Sequence, residues 1–70
     1  MMTRKRLQAL TWLHENPGAI DSFSQSLWPR DAPSRKMIDM MYYDGQVDRF
    51  RDAGLCLTDQ GRQDLHEATQ

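Results

Sequence analysis

A chain of 70 residues supports one thin core and leaves no room beside it for a deep substrate cleft. Hydrophobic residues make up 39% and charged residues 27%, a balance suited to folding, and no apolar run approaches the ~20 residues of a membrane span. The net charge of −1 lacks the basic excess usual in nucleic-acid binders, so the distribution of charge matters more than its sum.

That distribution is polarised. Arg4, Lys5 and Arg6 open the chain with no acid before Glu15, whereas after Arg51 the only basic residue is Arg62, against Asp52, Asp59, Asp64 and Glu67. The basic start has no apolar stretch behind it and does not read as a signal peptide. Cys56 stands alone and has no internal disulfide partner. Small secreted domains normally need such staples, so a cytoplasmic location is expected. No repeat or linker divides the sequence, and one domain over residues 1–70 is expected.

The first element is a helix over 3–15. Leu7, Leu10 and Leu13 fall on one face with Ala9 beside them, Thr3 can cap the start, and Asn16-Pro17-Gly18 ends it. A short second helix is expected over 22–28, capped by Asp21 or Ser22, with Phe23 and Leu27 sharing a face and Pro29 as the stop. A third helix follows over 33–44, capped by Asp31 or Ser34. Ser34, Met37, Ile38 and Met41 gather on its inner side. Lys36, Asp39, Met40 and Tyr43 gather opposite, with Arg35 at the edge. Gly45 closes this helix.

Residues 47–51 and 55–58 then read as a β-hairpin with Gly54 in its turn. Leu55 and Leu57 share a face, but Val47 and Phe50 do not, so either a bulge intervenes or Phe50 is exposed. The last element is a helix over 59–68, with Thr58 as N-cap, Asp59 at the positive end of the dipole, Leu65 inward and Gly61 allowing close packing.

From Ser34 to Leu65 the run Ile38, Met41, Asp44-Gly45-Gln46-Val47, a hairpin, Leu57-Thr58-Asp59-Gln60-Gly61 and Leu65 resembles the winged helix-turn-helix family. In that pattern a recognition helix ends in Gly and is followed by a strand, a wing and "LTxxG". The resemblance implies a mainly α fold with a small β-hairpin: three helices, a two-stranded wing and a C-terminal helix. It also implies a sequence-specific double-stranded DNA-binding module in transcription regulation, and the small size would suit a phage-type regulator. The third helix would enter the major groove and the wing, about 47–58, would lie on the backbone. Carried over, the DNA contacts are Arg35, Lys36, Asp39, Met40 and Tyr43 on the helix and Arg49 and Arg51 on the wing. Arg and Lys pair with phosphates and guanine edges, and Tyr43 can donate to a phosphate.

Between Arg30 and Asp52 the charges balance. Arg30, Arg35, Lys36, Arg49 and Arg51 face Asp31, Asp39, Asp44, Asp48 and Asp52. A phosphate-neutralising surface needs the acids turned away, as Asp48 would be if it alternates with Arg49 along a strand. The alternative is a winged-helix protein-interaction module without DNA binding, anchored by Met40, Tyr43, Phe50, Trp12 or Trp28. A homodimer or a protein partner is compatible with either reading. No phosphate loop, nucleophile elbow or paired carboxylate signature occurs. His14 and His66 lack partners at catalytic spacing, and Cys56 has no neighbouring cation to activate it. No enzymatic activity, metal or cofactor is expected.

Overall fold

Leu10 and Leu13 are fully buried and, with Ala9, form the inner face of α1 (Arg4–Glu15), as their spacing requires. A computed structural model describes residues 2–70; Met1 lies outside the described residues. Thr3 caps α1 by accepting from the Arg6 N–H at 3.1 Å, and Asn16 closes it by donating its backbone N–H and its side-chain Nδ2 to the Trp12 carbonyl.

The helix expected over 22–28 does not form. That stretch is an irregular run of turns, stitched by the Gln25 N–H to the Ser22 carbonyl at 3.2 Å and by the Asp21 N–H to Gln25 Oε1 at 2.7 Å. Seven residues between Asp21 and Pro29 give too few helical bonds to repay nucleation. Ser22, Ser24 and Gln25 instead spend their side chains on local bonds. Of the two apolar residues meant to share a face, Phe23 packs at the core's edge while Leu27 is 86% exposed.

The next helix, α2 (Arg35–Tyr43), starts where Ser34 Oγ accepts from the Met37 N–H at 3.1 Å. It ends in a Schellman motif. The Gln46 N–H bonds back to the Met41 carbonyl at 2.9 Å and the Gly45 N–H to the Tyr42 carbonyl at 3.1 Å, with Gly45 at φ +78°. Its inner residues Ile38 and Met41 are fully buried.

Strands β1 (Val47–Phe50) and β2 (Gly54–Leu57) pair antiparallel, with Val47 opposite Leu57 and Arg49 opposite Leu55. The register contains no bulge, so Phe50 falls on the outer face and is 43% exposed. The chain just before the irregular run supports the hairpin. The Leu55 N–H donates to the Ile20 carbonyl at 2.8 Å and the Gly18 N–H to the Leu55 carbonyl at 3.3 Å.

Helix α3 (Asp59–Ala68) shows what the Leu-Thr-x-x-Gly segment is for. Leu57 is buried, and Thr58 Oγ1 accepts from the Gly61 N–H at 3.1 Å while its hydroxyl donates to the Gly45 carbonyl. One threonine therefore caps α3 and ties it to the end of α2. Ala9, Leu10, Leu13, Ile20, Ile38, Met41, Val47, Leu55, Leu57 and Leu65 make one continuous core drawn from every element. The topology is that of a winged helix: helices closed on a two-stranded antiparallel wing, with a C-terminal helix packed on α1.

Candidate nucleic-acid interface

α2 divides its charged and apolar residues as an amphipathic helix should. With Ile38 and Met41 inside, Lys36, Asp39, Met40 and Tyr43 come together on the outer side, all exposed, Tyr43 at 79%. Ion pairs among the described residues join Arg6 to Asp44 and Arg62 to Asp59, so neither Lys36 nor Asp39 is neutralised by a neighbour.

Arg35 sits differently from the other sequence-derived candidates. Its guanidinium donates to the Phe23 carbonyl at 2.9 Å and to the Gln25 carbonyl, and it lies over the Trp28 ring at 4.5 Å. Trp28 in turn donates its indole N–H to the Pro33 carbonyl at 2.7 Å. Two charge-assisted bonds and a cation–π contact fasten the irregular run against the start of α2, occupying two of the five guanidinium N–H donors. An isolated helical pattern gives no sign of this, because the acceptors are backbone carbonyls ten and twelve residues away.

Arg49 and Arg51 stand together at the far end of the hairpin, beside Phe50, Asp52, Pro17 and Gly18. Both are exposed and neither is ion-paired among the described residues. The helix set and the wing set are separate groups, with no hydrogen bond or ion pair between them among the described residues.

The acids of this region are unevenly placed. Asp44 is neutralised by Arg6 Nη1 at 2.7 Å. Asp48 lies on the strand face opposite Arg49, paired with Cys56, and its Oδ1 accepts from the Arg49 N–H at 2.8 Å. Asp31 borders a cleft of about 480 Å³ against α1, with Lys5, Trp12, Pro33 and Met37. Asp39 alone remains on the outer side of α2 among the proposed readers, and Asp52 at the wing tip.

Two features escape a reading by residue type. Arg6 reaches across to Gln46 Oε1 at 2.8 Å as well as to Asp44, and Gln46 Nε2 donates to Asp64 Oδ2 at 2.8 Å. The third cation of the basic start is thus a strut between three elements. An aromatic ladder also runs along α2's flank: Phe23 meets Tyr42 edge-on at 5.2 Å, and Tyr42 meets Tyr43 at 6.1 Å.

Among the described residues no group of three or more His, Cys, Asp or Glu is placed to hold a metal ion. Among the described residues no helix is long and apolar enough to cross a membrane. No family model, no curated protein and no solved structure matches the chain.

Proposed function

We propose that the protein is a sequence-specific double-stranded DNA-binding module, a small transcriptional or phage-type regulator working in the cytoplasm. One observation carries this reading. The outer side of α2 presents Lys36, Asp39, Met40 and Tyr43 uncovered, while Asp44 is ion-paired and Asp48 turns to the other face of its strand. The charge balance that counts against DNA in the sequence is therefore redistributed by the fold. Lys36 and Tyr43 supply donors to the groove, and Arg49 and Arg51 supply cations to flanking phosphates. Arg35 sets the start of the reading helix rather than reading. A domain this small makes few contacts, so full affinity calls for a dimer or a second protein on neighbouring half-sites.

The direct test is a fluorescence-anisotropy titration with random-sequence duplex at low and moderate salt. Binding that collapses as salt rises supports the reading. Absence of binding at low salt, by protein shown folded by circular dichroism, removes it.

A second reading, a winged-helix protein-interaction module, draws on a different observation. Leu27 at 86% and Tyr43 at 79% exposure are large apolar or aromatic surfaces open to solvent. Under it, Tyr43→Ala abolishes a dimer or a partner complex seen by sedimentation while duplex DNA is never bound.

A further inference from the structure

With Arg35 committed to the Phe23 and Gln25 carbonyls, the outer side of α2 offers a short and mixed chemical vocabulary. Lys36 is a cationic donor, Asp39 an anionic acceptor and Met40 an apolar surface. Lys36 and Asp39 are one turn apart, yet they do not pair with each other: the ion pairs of the described residues lie elsewhere. An unpaired carboxylate in the middle of a phosphate-facing surface is a cost for non-specific binding, because it repels the backbone. It becomes useful only against a base edge that donates. In the major groove two bases donate, cytosine through N4 and adenine through N6, but adenine sets its N7 acceptor beside the amino group, where it repels a second carboxylate oxygen. Guanine only accepts through O6 and N7, and thymine shows a methyl, so a carboxylate suits cytosine best.

We infer that α2 reads a G·C-containing major-groove site, with Asp39 accepting from a cytosine amino group, Lys36 donating to a guanine and Met40 lying against a thymine methyl. This rests on the DNA-binding reading above. The spacing permits it: three residues advance roughly 4.5 Å along a helix, against roughly 3.4 Å per base pair. The two side chains therefore address the same or adjacent pairs. Tyr43, one turn beyond Asp39, stands at the end of this side, where a phosphate contact fixes the register.

The test is selection from a randomised duplex pool by the full chain, in parallel with Asp39→Asn and Lys36→Ala. Asp39 has no side-chain hydrogen bond or ion pair among the described residues, so its replacement is expected to leave the structure intact; circular dichroism checks this. Wild type enriches C·G at one position by roughly 5- to 150-fold over other pairs. Asn prefers adenine, to which it bonds through N6 and N7, so Asp39→Asn moves that position to A·T. Lys36→Ala loses the preference for guanine at the same or the adjacent pair. Enriched sites without G·C, or a base preference unchanged by Asp39→Asn, overturn the inference. Salt-dependent binding with no enrichment overturns it while leaving DNA binding standing, and absence of duplex binding removes both.

Discussion

The backbone of Gly61 lies directly against the carbonyl of Gln46: a Cβ built on Gly61 would stand 2.1 Å from that oxygen. The contact is backbone against backbone, so no side chain can swing aside. In an exposed helix Gly→Ala gains about 1 kcal/mol from propensity. Here the expected sign is reversed. Gly61→Ala forces α3 away from the end of α2 and loses about 1–3 kcal/mol, the usual range for overpacking. Urea titration followed by circular dichroism measures it, and an unchanged or raised midpoint contradicts the packing described.

Arg35 gives the second prediction. Its planar fork spans two carbonyls and stacks on Trp28, a geometry a lysine does not reproduce. Arg35→Lys keeps the charge and still loses stability, by about 1 kcal/mol given the site's exposure. It also changes the Trp28 environment, seen as a shift in tryptophan emission. In a Trp28→Phe background the effect of Arg35→Lys shrinks, because part of the contact is already gone. If Arg35→Lys leaves stability and emission unchanged but weakens DNA binding, Arg35 belongs with the readers after all.

Gln46 is buried, and its amide accepts from Arg6 and donates to Asp64. Gln46→Leu keeps most of the volume and removes both bonds. Arg6 retains Asp44, and Asp64 retains the Gln60 amide at 2.8 Å, so neither charge is stranded. The expected loss is about 1–3 kcal/mol. Asp64→Asn is expected to cost less than Gln46→Leu, since an asparagine still offers an acceptor to Gln46. Equal stability of Gln46→Leu and wild type by thermal melting would show that the strut is idle.

These residues also mark what the chain discloses before it is folded. The caps at Thr3 and Thr58, the buried pair Ile38 and Met41, and the span of α3 were legible because each depends on neighbours within one turn, while the cap of α2 was narrowed to Asp31 or Ser34, of which Ser34 caps it. Residues 22–28 misled because the apolar spacing of Phe23 and Leu27 fits a helix, whereas the choice rests on nucleation cost and on local bonds from Ser and Gln side chains. The roles of Arg6 and Arg35 were hidden for another reason. Arg6 meets Asp44 across 38 positions, and Arg35 meets backbone carbonyls, which every residue type carries. Residue type shows that a cation exists but not which cations the fold has already used.

That accounting leads to the last prediction. On the proposed interface the cations outside ion pairs and outside the Arg35 clamp are Lys36, Arg49 and Arg51. Each phosphate neutralised contributes about −0.9 to the slope of log K against log salt. If the wing arginines hold backbone and Lys36 a base edge, the monomer's slope falls near roughly −2, well short of the values of large repressors. Arg49→Ala and Arg51→Ala then each reduce the slope by about 1 and weaken all duplexes alike. Lys36→Ala acts otherwise: it leaves the slope nearly unchanged and narrows the gap between the selected site and random sequence. Measuring both slopes over the same salt range separates the roles, because a phosphate contact discards no sequence information when removed, whereas a base contact does. A slope unaffected by either wing substitution would detach the wing from the DNA and leave α2 alone to carry the complex.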